Sequence, residues 1–174
     1  MNTVPDLILR REQPAERAAI RSLNEAAFGR RDESDLIDRL RTEGAVLASF
    51  VAEHDERIVG HILFSRMLIE TTAVPISAVA LAPMAVMPER QRRGIGGQMI
   101  HHGLDWLRGR GERIVLVLGH PEYYPRFGFS SDRAHALASP FPPEAFMALE
   151  LSSGALDGIR GTVRYPEAFG LSQA

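Results

Sequence analysis

The period of hydrophobic and polar positions changes repeatedly along the chain, and each change marks an element. Leu7 to Arg11 reads as a short first strand. Pro14 to Phe28 brings Ile20, Leu23 and Ala27 onto one helical face, with a proline in the first turn, and a second helix is predicted over Ser34 to Glu43. Val46 to Glu53 and Arg57 to Glu70 are β-rich and flank the polar tip His54-Asp55-Glu56, which predicts an antiparallel hairpin. Ile76 to Val86 is almost wholly apolar, the pattern of a central strand covered on both faces, yet it contains Pro83. A proline cannot donate to the ladder, so this one points to a bulge or to a place where the partner strand has parted.

Beyond a glycine-rich turn at Gly94, residues Met99, Ile100, Gly103, Leu104 and Leu107 fall at helical spacing, and Gly109 and Gly111 supply stop signals. Arg113 to Leu118 is a second strand of the buried type. Strand, turn, helix and strand together make a β-α-β unit whose first turn is its anion-binding end. The last third is proline-rich and is expected to form short strands, Phe146 to Leu151 and Gly161 to Tyr165, the latter an edge open to a second copy of the chain. No repeat or linker interrupts residues 1–174, which are expected to form a single domain, since a core of this size buries roughly 70% of the unfolded surface.

Composition narrows the function classes. An apolar fraction of 45% and a charged fraction of 24% predict a packed globular core. A formal charge of −2 gives no global attraction to nucleic acid or membrane, so any polyanion site must come from local clustering of arginine. No apolar run approaches the ~20 residues of a membrane span, and Met1 to Asp6 lacks the layout of a secretory signal, so the expected address is cytoplasmic. The absence of cysteine excludes disulfides, thiolate metal sites and any cysteine acyl-enzyme, and no Gly-x-Ser-x-Gly turn is present. His101 and His102 are adjacent on a helix and point different ways, and no His-Glu-x-x-His pattern occurs, so no metal is expected.

The arginines cluster in Val86-Met87-Pro88-Glu89-Arg90-Gln91-Arg92-Arg93-Gly94-Ile95-Gly96-Gly97, where a buried strand ends and residues poor in side chain open a helix. Backbone N–H groups at such a turn can approach an anion, and arginines add charge-assisted bonds to phosphate. A Walker ending and the third glycine of a dinucleotide fold are both missing. A solvated, merely charged turn is the alternative.

Val86-x-Pro88-x-x-Gln91-x-x-Gly94-x-Gly96 resembles the acyl-CoA signature of the GNAT superfamily of N-acetyltransferases. Tyr124-Pro125-Arg126-Phe127-Gly128-Phe129 resembles that family's Tyr-x-x-x-Gly-Phe segment, and the run from Leu118 to Tyr124 with the tail Gly161 to Pro166 is similar to the predicted-acetyltransferase, YhbS-like, branch. The resemblance implies an α/β (α+β) fold: a mixed, mostly antiparallel sheet with helices on both faces and a split between two central parallel strands. It implies acetyl-CoA as cosubstrate, its diphosphate held by Gln91, Arg92, Arg93, Gly94, Ile95, Gly96 and Gly97 and its pantetheine by Met84, Ala85 and Val86. Tyr124 is then the general acid, with Tyr123 its rival, and a backbone N–H from Met84 to Val86 stabilises the oxyanion. Neutralising an alkyl ammonium of pKa ~10.4 at pH ~7.4 costs about 4 kcal/mol, small enough that no strong base is required. His120 and Glu122 are the local candidates for one.

The acceptor is an amine on a small molecule, peptide or protein. Glu25, Asp32, Glu33 and Asp35 are candidates to attract a cationic one. Two other readings fit parts of the pattern: a non-catalytic CoA or acyl-CoA binding module, which needs no proton donor, and an RNA-binding domain using Arg90, Arg92 and Arg93. The aromatics of residues 123–129 are broken by Pro125 and read as packed rather than as a stacking platform.

Overall fold

The computed structural model describes residues 4–171. Four helices, α1 (Arg17–Phe28), α2 (Asp32–Glu43), α3 (Ile95–Gly109) and α4 (Ser131–Ala134), accompany eight strands: β1 (Ile8–Arg11), β2 (Val46–His54), β3 (Arg57–Glu70), β4 (Ile76–Val86), β5 (Ile114–Leu118), β6 (Leu137–Ala138), β7 (Phe146–Glu150) and β8 (Gly161–Arg164). The strands form one sheet in the order β1-β2-β3-β4-β5-β7, with β8 pairing both β3 and β6. Only β4–β5 and β6–β8 are parallel; the other ladders are antiparallel.

Helices cover both faces. On one, α3 presses Ile95, Met99, Ile100 and Leu104 into a core with Ile62, Phe64, Val79 and Val115. A Cβ on Gly103 would stand 2.3 Å from the Phe64 ring, so the helix rests directly on β3. On the other face α1 and α2 bury Ile20, Ile37 and Leu40 against Val51 and Leu63. Beside them the C-terminal elements bury Leu137, Phe146 and Val163 against Met67, Ile69, Ala80 and Leu116. Alternation along β4 and β5 sends Val79 and Val115 to the α3 face and Ala80 and Leu116 to the opposite one, as period 2 requires.

The hairpin between β2 and β3 closes with His54 opposite Arg57, and Asp55 and Glu56 both take positive φ (51° and 55°), the geometry that a two-residue turn needs to match strand twist. Helix α2 starts two residues earlier than periodicity indicates, because Asp32 and Glu33 carry no apolar signal but favour a helix N-terminus electrostatically. The expectation of an open edge over Gly161 to Tyr165 is corrected: β8 stops at Arg164 and has β3 on one side and β6 on the other. The two-residue β6, which fills that edge, is too short to announce itself by alternation.

Candidate functional site

The parallel pair β4–β5 is in register only at Val79 opposite Val115 and Ala80 opposite Leu116. Beyond it the strands part. Phe64 of β3 faces Leu81 and Ile62 faces Met84, so Ala82 and Pro83 together oppose one residue of β3, a bulge at the position marked by the proline. Strand β5 continues as far as Leu118 with β7 alone. A cleft of ≈ 1380 Å³ opens at the parting and is lined by Met84, Val86, Gln91, Arg92 and residues 94–98, together with β5 and its following loop.

The ladder fixes which amides point into it. Met87 N–H donates to the Val59 carbonyl at 2.9 Å, and hydrogen-bonded pairs alternate in an antiparallel ladder, so Ala85 faces His61 as the next such pair. Met84 and Val86 then turn their N–H and C=O groups away from β3, toward the parting. The Val86 carbonyl meets the Gln91 side chain, which donates to it from Nε2 at 3.0 Å. Of the three strand residues named from sequence, Met84 and Val86 line the cleft, whereas Ala85 commits its amide to β3 and is buried.

The turn that follows leaves its backbone donors open. Gly94 caps α3 at φ 92°, a left-handed conformation natural only to glycine, and Arg92 shares that region at φ 59°. The first helical bond is Gln98 N–H to the Gly94 carbonyl at 3.1 Å. Among the described residues, none of the six consecutive N–H groups from Arg92 to Gly97 has a protein acceptor. Six unpaired donors at a helix N-terminus form a cradle whose partial positive charge is reinforced by Arg90, Arg92 and Arg126, which line the same cleft. Gln91 acts as the staple that ties this turn to the end of β4. Arg93 is exposed and does not line the cleft.

Two tyrosines close the other wall in different ways. The Tyr123 hydroxyl lies 2.9 Å from where a Cβ on Gly96 would stand, over the cradle, and the Arg126 guanidinium sits 4.7 Å from its ring centroid. Tyr124 is 8% exposed, and its ring packs so closely on Gly119 that a Cβ there would be 2.1 Å from Cε2. Burial raises the pKa of both phenols, and for Tyr123 the Arg126 cation opposes the rise. Neither hydroxyl has a protein hydrogen-bond partner among the described residues, so each is free to donate to a ligand. Gly119 had a signal in the sequence, a glycine ending a buried strand, but the ring lying on it is a tertiary fact.

His120 lines the cleft and is exposed, while Glu122 points to solvent and takes no part in the wall. Of the four acidic residues named as attractors, only Glu33 reaches the cleft. Glu25 and Asp35 are paired with Arg21 at 3.0 and 2.7 Å, and Asp32 lies 3.7 Å from Arg30. No serine or threonine lines the cleft among the described residues. Its far end is formed by Phe28, Leu36, Phe141, Tyr165, Phe169 and Leu171, which no local spacing in the sequence connects.

A sheet parted between parallel strands, with an amide cradle at the mouth of the gap, is the arrangement that the resemblance to the acyltransferases implies. The model of the GNAT acetyltransferase domain matches residues 9–131, and the chain belongs to that family. It is 40% identical over 130 residues to YjhQ, an uncharacterised N-acetyltransferase of Escherichia coli K12, covering 72% of each chain. It is 32% identical over 166 residues to YhbS of the same strain, covering 94% of this chain and 98% of YhbS. The crystal structure of Escherichia coli YhbS in complex with CoA superposes with a TM-score of 0.87 at 31% identity, covering 98% and 97% of the two chains. A GNAT acetyltransferase of Brucella melitensis in complex with acetyl-CoA gives 0.79 at 36% identity, covering 94% and 97%.

Proposed function

We propose that this acetyltransferase takes acetyl-CoA as donor and passes the acetyl group directly to an amine within a ternary complex. The observation that carries the reading is the run of six unpaired amides from Arg92 to Gly97, five of them on residues that line the gap into which Met84 and Val86 also direct theirs. The cofactor's diphosphate sits in the cradle and its pantetheine extends along β4, completing the sheet where β5 has left it. The Tyr123 hydroxyl caps the diphosphate end. The thioester then lies beside Tyr124, with the Met84 or Val86 N–H as oxyanion donor.

The amine nitrogen attacks the carbonyl carbon, the C–S bond breaks, and the departing thiolate takes the Tyr124 proton. The nitrogen releases one proton, which restores the phenol, so the products are an amide and CoA. A phenol of raised pKa is a poor acid in bulk water, and position alone makes it effective here. Before the attack an ammonium must lose a separate proton, and His120, at the cleft mouth, is the local group able to carry that one to solvent; Glu122 lies too far into solvent for that task. The lack of a cysteine, serine or threonine on the wall supports direct transfer.

Among the described residues no helix is long and apolar enough to cross a membrane. The reading takes the protein to act in the cytoplasm, where its donor is supplied. A homodimer formed through a strand would use the outer side of β1, whose Ile8 is 53% exposed.

The test is calorimetric and kinetic. Acetyl-CoA at a hundredfold excess over its Kd is expected to stabilise the fold by about 2.7 kcal/mol, and initial velocities against both substrates are expected to give intersecting lines. Stabilisation by ATP but not by CoA overturns the donor assignment; parallel lines overturn direct transfer.

A further inference from the structure

The cleft crosses the sheet, and its two ends differ in chemistry. Every arginine on its wall lies at the cradle end, Arg90, Arg92 and Arg126, whereas the end between α1, α2 and the C-terminal strands is apolar. There Phe28, Leu36, Phe141, Tyr165, Phe169 and Leu171 share the lining with a single carboxylate among the described residues, Glu33. Phe141 and Tyr165 meet edge-on at 5.6 Å and Tyr165 and Phe169 at 4.8 Å, a continuous aromatic wall. Phe169 packs against both cores of this face, so the wall is fixed at the seam between them. Of the large apolar side chains left exposed, Phe28 (38%) and Leu118 (44%) both line the cleft. Exposed apolar surface inside a cleft is a binding feature rather than packing.

Glu33 does not make this end anionic. Its carboxylate is held by Arg30 at 2.5 Å, whose hydrogen bond outweighs burial and depresses its pKa, so the pair is ionised and locally neutral. A polycation would find no second carboxylate and would desolvate its spare charges against aromatic rings.

Resting on the donor reading above, we infer that the acceptor is a small amine carried on an aromatic or other apolar body, and that polyamines and lysine side chains of proteins are disfavoured. An apolar wall has a second effect: it disfavours the ammonium form, lowering the pKa of the bound amine and supplying much of the neutralisation for which no dedicated base is present.

The experiment compares kcat/KM for 2-phenylethylamine, ethanolamine, spermidine and a lysine-containing peptide, with acetyl-CoA affinity measured separately by calorimetry. Phenylethylamine is expected to exceed each of the others by at least ~10-fold, the scale of one or two methylene contacts in an apolar pocket. Phe28→Glu places an unpaired carboxylate at an exposed position of the wall. It is expected to lower phenylethylamine kcat/KM by ~10-fold and to raise that of spermidine, with acetyl-CoA affinity unchanged, a crossover that loss of fold cannot mimic. Preference for spermidine or the peptide overturns the inference, as does an equal effect of Phe28→Glu on all amines, or acetyl-CoA binding with no phenylethylamine turnover. Failure to bind acetyl-CoA at all strikes the donor reading instead.

Discussion

The hydroxyl of Tyr123 stands 2.9 Å from the position a Cβ would occupy on Gly96, so a tyrosine from the loop after β5 and the opening turn of α3 share one narrow space. That space is the cradle end of the cleft, and it leaves no room for a side chain. Gly96→Ala is predicted to raise the acetyl-CoA Kd at least ~10-fold, because the methyl displaces the phenol and crowds the amides. The fold itself is expected to change by less than about 1 kcal/mol, since alanine favours the helix and only the tip of Tyr123 must move. Calorimetric titration and thermal melting of the same sample separate the two effects; a matched loss of stability and affinity would count against the account.

The proposed reading gives the two tyrosines separable roles. Tyr124→Phe is predicted to lower kcat by ~10²- to 10⁴-fold with the acetyl-CoA Kd within twofold of the parent. Tyr123→Phe is predicted to act on donor affinity and to leave kcat within about fivefold. Because burial raises the Tyr124 pKa, the acid stays protonated as pH rises, and kcat is predicted to show no falling limb below pH ~10. A reversed pattern between the two variants transfers the proton donor to Tyr123.

Gly119→Ala tests the positioning of Tyr124. A Cβ 2.1 Å from Cε2 cannot be accommodated without moving the ring. Overpacking of this kind costs about 1–3 kcal/mol, and kcat is predicted to fall with it by at least ~10-fold. A variant that melts lower yet turns over at the parent rate shows that the position of the Tyr124 ring does not limit chemistry.

A polar chain beneath α1 sets the response to acid. Asn24 Nδ2 lies 3.2 Å from His61 Nδ1, and His61 Nε2 lies 2.8 Å from Ser49 Oγ, which donates to Glu12; Arg41 reaches the same carboxylate at 2.9 Å. With Asn24 donating, His61 accepts at Nδ1 and carries its proton on Nε2, the neutral tautomer that lets Asn24, His61 and Ser49 donate in turn toward Glu12. Burial lowers the His61 pKa. Burial alone would raise the Glu12 carboxyl, but hydrogen bonds from His61, Ser49 and Arg41 override it and hold the pKa at about 2. Both groups are depressed in the folded state, so both favour the fold at neutral pH and lose that effect on acidification. His61 does so as pH falls below its ordinary 6.5, Glu12 between 4.5 and about 2. The Glu12 contribution is about 3 kcal/mol, and Glu12→Gln is predicted to lower Tm by about 10 °C at pH 7 and by much less near pH 2. A Tm difference independent of pH contradicts this linkage.

The legible part of the molecule was carried by local rules. Pro83 in an apolar strand announced the bulge, and the spacing of Gln91, Gly94 and Gly96 after β4 announced the cradle, because both features are made within a dozen consecutive residues. What stayed hidden depends on distant contacts. The closed side of β8 comes from the two-residue β6, the ring of Tyr124 on Gly119 from the loop's return path, and the apolar end of the cleft from residues as far apart as Phe28 and Phe169. Charge misled at Glu25 and Asp35, whose carboxylates are consumed by Arg21. Sequence position told nothing of which amides in β4 are free; that came from the ladder, where Ala85 is spent and Met84 and Val86 are not.

If unpaired main-chain amides hold the donor, amide-resolved NMR of the ¹⁵N-labelled protein reads that contact residue by residue. Titration with acetyl-CoA is predicted to shift the Arg92 to Gly97 resonances downfield and to slow their exchange with solvent, with Met84 and Val86 responding and Ala85 little changed. Saturation with acetyl-CoA while those six resonances stay in place would contradict it.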